Sequence, residues 1–254
     1  MNVGLQKTSL VNYPHRLAAA VFLPGCNLRC PYCYNAELVY APHSQASSCK
    51  PQNYGNEYVP LEKVYEHIEK RKSILRGLVL SGGEALLSPV LPELITRAKK
   101  AGLAVKLDTN GLLPEALSAL VSDIDLCPDM IALDIKTSPS RYGELGFCRS
   151  KEGAPTAQLP EAALKKTLDL LARKEICREV EIEYRTVLVP PLIKDADILA
   201  IAEHLPPDAS WFFAPFLPGN CLNPSWNTIR PYTTAEMAQL VKLAQTKIPN
   251  SRLR

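Results

Sequence analysis

The sequence predicts an α/β fold, a partial (β/α)6 barrel of the TIM-like type, built as a single domain from residues 1–254. Two observations carry that expectation. Short apolar runs alternate six times with segments of helical periodicity, and the residues suited to chemistry fall just after the runs. Six β–α units in strict alternation imply a parallel sheet with right-handed crossovers. Six is two short of a closed barrel, so the sheet is expected to stay open. A flat doubly wound sheet is the alternative, and periodicity alone does not separate the two. In either case ligands gather at the C-terminal ends of the strands.

The strand candidates are residues 17–23, 77–81, 104–108, 130–135, 180–188 and 211–216. They are rich in Val, Ile, Leu and aromatics, and most lack a clean period of two, as expected of strands buried on both faces. Between them, residues 61–75 place Leu61, Val64, Ile68 and Leu75 near helical spacing. Residues 89–101 begin on Ser88-Pro89 and reach Gly102, an expected C-cap. Helical segments at 114–121, 160–173, 195–205 and 234–246 complete the series, several opening on Pro, Thr or Asp as helix starts require. Residues 37–58 lack periodicity and read as a long excursion, a kind of loop that is usually functional or mobile.

Composition narrows the function. With 46% hydrophobic residues, 254 residues can bury one sizeable core. Lys plus Arg is 29 against 26 for Asp plus Glu, a net charge of only +3, which argues against a nucleic-acid partner. The apolar run before Cys26 is far too short to span a membrane. Arg16, that run and Leu23-Pro24-Gly25-Cys26 mimic a lipoprotein signal. The preceding segment is long and contains Pro14, however, and Cys30 and Cys33 would go unexplained. A cytoplasmic protein without a membrane partner is expected. The 22 prolines are scattered at element boundaries and form no low-complexity tract.

Three of the eight cysteines crowd into Cys26-Asn-Leu-Arg-Cys30-Pro-Tyr-Cys33, a C-x3-C-x2-C spacing. Three thiolates on one loop can ligate three irons of a [4Fe–4S] cube. Such a cube normally takes four protein ligands, so one iron is left open to a substrate. The alternatives are a zinc site with a distant fourth ligand, or unligated thiols. Zinc ribbons usually pair two C-x2-C units, and no second pair exists here. Cys49, Cys127, Cys148, Cys177 and Cys221 are dispersed and read as buried or incidental thiols. A second cluster assembled by the fold from some of them stays open. His15, His43, His67 and His204 show no metal spacing.

Around that loop the chain resembles the radical S-adenosylmethionine (SAM) superfamily. Within it the chain is similar to the activating proteins of anaerobic ribonucleotide reductase, a branch close to pyruvate formate-lyase activating enzymes. The resemblance runs over nearly the whole chain. It takes in Gly4-Leu-Gln-Lys-Thr-Ser-Leu10, the cysteine loop, Ser81-Gly-Gly-Glu84, Lys106-Leu-Asp-Thr-Asn-Gly111 and Ala132-Leu-Asp-Ile-Lys136. It continues through Tyr184-Arg-Thr-Val-Leu-Val-Pro190 and ends on Pro215-Phe-Leu-Pro-Gly-Asn-Cys-Leu222. It implies the radical SAM fold and an enzyme that uses a [4Fe–4S] cluster on Cys26, Cys30 and Cys33 to cleave S-adenosyl-L-methionine reductively. The deoxyadenosyl radical would then abstract hydrogen from a glycine of a glycyl radical enzyme. It further implies an electron donor of the flavodoxin or ferredoxin type. The runner-up is a radical SAM enzyme acting on a small molecule or another peptide. A non-catalytic zinc or iron–sulfur module would need only the cysteines.

The other motifs then read as a SAM cradle, each beside a plainer alternative. Glycines let a ligand approach the backbone, and a carboxylate beside them can accept from an ammonium group. By resemblance Gly82, Gly83 and Glu84 hold the amino group of SAM; otherwise they form a turn. Asp108, Thr109 and Asn110 offer groups for ribose hydroxyls or the SAM carboxylate, though Asn110-Gly111 is also a turn signal. Asp134 and Lys136 alternate, so they point to one face. The resemblance has this Asp-x-Lys contact SAM; an ion pair with a neighbour is the other option. Arg185 lies amid apolar residues, where an unpaired charge is costly. It is expected to meet a carboxylate of SAM, Glu183 or Glu181. Tyr32 is placed as the family places an aromatic beside adenine. One departure stands out. No histidine follows Val189-Pro190, where pyruvate formate-lyase activases place one near the SAM ribose; this chain has apolar residues and Lys194 there.

Overall fold

The computed structural model describes residues 1–40, 57–147, 159–173 and 179–254. Most of the 37–58 excursion lies outside them, as do Cys49, Cys148 and Cys177. All six expected strands are present, as β2 (Ala18–Leu23), β4 (Gly77–Gly82), β5 (Ala104–Thr109), β6 (Met130–Asp134), β7 (Glu181–Leu188) and β8 (Ser210–Pro215). They lie side by side and parallel in that order. Three further strands extend the sheet. β1 (Asn2–Ser9) runs antiparallel to β2, β3 (Glu57–Pro60) antiparallel to β1, and β9 (Arg252–Leu253) parallel to β8. β3 and β9 end the strand order, so the sheet is open.

Helices cross over between strands. A short helix α1 (Ala36–Tyr40) follows the cysteine loop. α2 (Leu61–Arg71), α3 (Leu91–Lys100), α4 (Pro114–Ser122), α5 (Pro160–Leu171), α6 (Asp195–Ala202) and α7 (Thr234–Gln245) match the six expected segments. Their buried positions keep helical spacing: Leu91, Leu94, Ile95 and Ala98 on α3, for example. That helix stops at Gly102, whose φ of +75° lets Leu103 N donate back to Ala98 O and Gly102 N to Lys99 O. This is the paired closing bond of a glycine-ended helix.

The packing separates the two architectures that periodicity left open. Ala19, Val21, Leu23, Leu78, Leu80, Val105, Leu107, Ile131 and Leu133 share the main core with the buried apolar residues of α2 to α7. The alternate residues, Ala18, Ala20, Val79 and Met130, join Tyr13 in a second, smaller cluster that contains no helical residue. A doubly wound sheet would carry helices on both faces. Here the helices α2 to α7 share one face, so the sheet is a partial barrel with a separate interior. That interior face carries Tyr13, Ala18, Ala20, Val79 and Met130, and further along the strands the charged side chains described below.

Candidate functional site

β2 delivers the chain to the barrel mouth, where residues 24–35 fold over the strand ends. The cysteine loop is fixed by its neighbours rather than by regular structure. Gly25 N donates to Leu38 O at 2.7 Å, and Gly25 O accepts from Glu84 N at 2.8 Å. Arg29 N donates to Gly146 O at 3.0 Å, and Arg29 Nη1 donates to Cys26 O at 2.7 Å and Leu28 O at 2.8 Å. Leu28 forms a bridge with Phe147. Cys30 is buried and Cys26 and Cys33 half-buried; all three are free thiols. Among the described residues, no three His, Cys, Asp or Glu side chains gather closely enough to hold one metal ion. A cube asks for something different, since each thiolate binds its own iron.

Burial pushes the thiols up, Cys26 to about 11 and Cys30 to about 12, with Cys33 raised as well. Lys136 acts in the opposite sense on all three, favouring the thiolates. A metal binding here must therefore displace protons.

Gly82 and Gly83 press the end of β4 against this loop. Gly82 has φ of +124°, and Gly83 N donates to Leu23 O at 2.9 Å. A Cβ at either glycine would run into backbone, that of Leu23 for Gly82 and of Gly25 for Gly83. Glycine is demanded by this close approach as well as by φ. Glu84 is wholly buried. Its carboxylate accepts from Leu86 N at 3.2 Å, Thr109 Oγ1 at 2.8 Å and Asn110 N at 2.7 Å. The side chain expected to receive a ligand ammonium is thus a brace between the ends of β4 and β5. Burial pushes it up to about 7 despite these three donors.

Asn110 turns toward the cysteine loop, donating from Nδ2 to Asn27 Oδ1 at 2.8 Å and receiving Leu112 N on Oδ1 at 3.0 Å. Asp108, Asp134, Lys136 and Arg185 meet in one network on the interior face. Arg185 Nε donates to Asp134 Oδ1 at 2.7 Å, and its Nη2 lies 3.4 Å from Asp108 Oδ2. Lys136 Nζ donates to Asp134 Oδ2 at 3.0 Å. Lys106, which the sequence reading did not single out, is buried and donates to Asp108 Oδ1 at 2.6 Å. Two carboxylates face three cations, a local surplus of one positive charge. Burial alone would raise Asp134, but Arg185 and Lys136 outweigh it and hold its carboxyl well below the usual range.

The partner of Arg185 corrects an expectation. It is neither Glu183 nor Glu181. Register across β6 and β7 sets Asp134 beside Arg185. Glu183 is taken instead by Arg254, whose Nη1 and Nη2 donate to its two oxygens at 2.7 and 2.8 Å. Asp134 and Lys136 do share a face, and they form an ion pair.

Tyr32 is buried, its ring 6.3 Å from that of Trp226 and its hydroxyl without a hydrogen-bond partner. The site therefore suits the groups that the resemblance implies. It offers three thiols on one loop, an unpaired buried hydroxyl beside them, and a cationic surplus facing the same mouth. Sequence reading also missed the roles of Asn27 and of the loop at 219–227, whose amides reach the cysteine loop. Lys106 had left a signal, a lysine in an apolar strand in phase with Asp108.

Known proteins bear on this geometry. The description "Radical SAM superfamily" matches residues 20–205. Over 254 aligned residues the chain is 27% identical to a "Putative glycyl-radical enzyme activating enzyme" of Methanocaldococcus jannaschii, covering 99% of this chain and 94% of that one. It is 31% identical over 128 residues to a 7-carboxy-7-deazaguanine synthase of Methanopyrus kandleri, covering 46% of this chain and 48% of that one. Among solved structures, the fold resembles Streptococcus suis SuiB bound to S-adenosylmethionine. The TM-score is 0.59 at 12% identity, over 92% of this chain and 51% of that one. The chain thus spans about half the length of the latter two relatives. No described helix is long and apolar enough to cross a membrane. The matched segment takes in the cysteine loop and every strand-end motif up to Arg185, and on that ground the chain belongs to the radical SAM superfamily.

Proposed function

We propose that Cys26, Cys30 and Cys33 hold a [4Fe–4S] cluster at which S-adenosyl-L-methionine is cleaved, and that the enzyme activates a glycyl radical enzyme, an anaerobic ribonucleotide reductase. The observation that carries this reading is the set of three thiols on one loop, beside a charged network in which Lys106, Lys136 and Arg185 outnumber Asp108 and Asp134. Held by Cys26, Cys30 and Cys33, such a cluster would supply the one electron that breaks a sulfonium C–S bond of SAM, leaving methionine and a radical able to abstract hydrogen from substrate. The chain's own residues bind and orient. Lys136 and Arg185 would meet the SAM carboxylate, and their pairing with Asp134 and Asp108 fixes where they sit. Asn110 couples this wall to the cysteine loop. Gly82 and Gly83 form the edge that would receive the amino group, with Glu84 bracing that edge to the end of β5, and Tyr32 would flank adenine.

Similarity to the Methanocaldococcus protein over 94% of its length supports the protein-activating branch. The match to a 7-carboxy-7-deazaguanine synthase favours a second reading, a small-molecule substrate. One experiment separates them. Reduced enzyme, SAM and a cognate anaerobic reductase, mixed without oxygen, are expected to give a glycine-centred doublet in electron paramagnetic resonance. A reductase that stays radical-free while a small metabolite accelerates deoxyadenosine release transfers the assignment to the second reading. Absence of SAM cleavage by iron-loaded enzyme returns it to a non-catalytic module. An electron donor of the flavodoxin or ferredoxin type and a cytoplasmic setting belong to the same proposal.

A further inference from the structure

The loop following β8 is irregular, yet it is tied closely to the cysteine loop. Leu222 N donates to Cys33 O at 2.8 Å and Asn223 N to Pro31 O at 2.9 Å. Asn220 Nδ2 donates to Tyr34 O at 3.0 Å. Three carbonyls of the segment carrying the last cysteine are thus engaged by three residues of the stretch 220–223. Something must hold that stretch in shape, because no strand or helix does. One side-chain oxygen performs that task. Asn227 Oδ1 accepts from Gly219 N at 3.1 Å and from Cys221 N at 2.8 Å. Asn227 itself rides on a 3-10 turn, Pro224–Thr228, whose start is capped by Asn223 Oδ1 accepting from Ser225 N at 3.1 Å. In the same turn Trp226 sets its ring against Tyr32.

The amides along this loop therefore point two ways. Gly219 and Cys221 turn inward to Asn227, and Leu222 and Asn223 turn outward to Cys33 and Pro31. We propose that residues 219–227 are a clasp on the cluster-binding loop, with Asn227 as its positioning residue, acting on Cys33 through Cys221 and Leu222. The proposal rests on the reading of Cys33 as a cluster ligand. A carbonyl-type oxygen with two lone pairs can take both amides. Aspartate keeps that oxygen at the same reach, and alanine removes it. Without it the amide of Cys221, a buried residue, loses its acceptor. The loop then relaxes, and the bonds that fix the Cys33 backbone go with it.

The test uses the full chain, loaded anaerobically with iron and sulfide and then challenged with a ferrous chelator. Asn227→Ala is expected to release iron roughly tenfold faster than the unaltered protein, the scale set by losing two hydrogen bonds. Asn227→Asp is expected to stay close to the unaltered rate. Equal rates for all three proteins overturn the clasp, and so does an aspartate variant as leaky as the alanine one. If Asn227→Ala fails to fold, amide exchange in the unaltered chain decides the matter. The Leu222 and Asn223 amides should exchange slowly, and exchange at the rate of open amides overturns the proposal. An unaltered chain that takes up no iron defeats the cluster reading instead, while the exchange measurement still judges the clasp.

Discussion

Replacing Glu84 with alanine sets two physical effects against each other, and the structure permits a prediction of which wins at each pH. The carboxylate is wholly buried and braces β4 to β5 through three donors. Removing it leaves the amides of Leu86 and Asn110 without acceptors, at about 1–3 kcal/mol each. Thr109 is less affected, because its hydroxyl can rotate while still accepting from Gly111 N. At acid pH the variant should therefore be less stable by about 2–6 kcal/mol. Against this, burial raises the carboxyl from 4.5 to about 7.

A group whose folded pKa is raised contributes stability that is complete below its unfolded value and is lost as pH climbs through the folded one. Between pH 5 and pH 8 the native protein should thus lose about 2–3 kcal/mol that the alanine variant does not lose. The stability gap should narrow by that amount. At roughly 2–4 °C per kcal/mol for a chain of this size, melting temperatures should converge by about 4–12 °C. Thermal melts of metal-free protein and variant at the two pH values measure this. A gap that stays constant or widens toward pH 8 would refute the reasoning and mean that the three donors outweigh burial.

The remaining predictions are more direct. Anaerobically purified protein should be brown with about four irons per chain. Alanine at Cys26, Cys30 or Cys33 should abolish the colour and alanine at Cys49 should not; a colourless protein with one zinc per chain sinks the cluster assignment. Arg185→Ala should leave the cluster intact but weaken SAM binding about ten- to a hundredfold, as loss of a charged hydrogen bond does. Unchanged affinity would mean that the network is structural only. Arg254→Ala should destabilise the fold by about 2–4 kcal/mol, since it strands a buried Glu183 while losing a partly exposed partner. A melt within about 1 °C of the original, well under the shift expected per kcal/mol, would show that Glu183 finds another partner.

The legible parts of this fold were those whose sequence reflects burial on both faces. The runs at Ala18–Leu23, Gly77–Gly82 and Met130–Asp134 are almost uninterrupted, and each became a parallel strand. β1 escaped because its second half, Gln6-Lys7-Thr8, faces outward and breaks the run. β3 has four residues and ends in proline, and β9 has two. In the site, each motif was visible because it follows directly on an apolar run. Pairings across strands were not visible. Nothing local says that Arg185 meets Asp134 rather than Glu183. That choice follows from register and from Arg254, which takes Glu183 from 71 residues further along the chain. The stretch 215–222 was visible as a motif, but the hold of residues 220–223 on the cysteine loop was not, because two of those three bonds run through backbone amides, a group that every residue except proline carries.

That last feature has a consequence for biosynthesis. Cys33 emerges early, but the amides that secure its neighbourhood come from residues about 186 positions later, as the bond from Asn220 to Tyr34 records. At roughly 5–20 residues per second, translation needs about 10–40 s to cover that distance. Throughout that interval the three thiols are already outside or leaving the ribosome, and the last strands of the sheet do not yet exist. An iron–sulfur assembly system acting on the nascent chain would meet a loop that still lacks the bonds from residues 220–223. Productive loading should therefore follow completion of β8 and the segment after it, and the growing chain must keep its cysteines reduced until then.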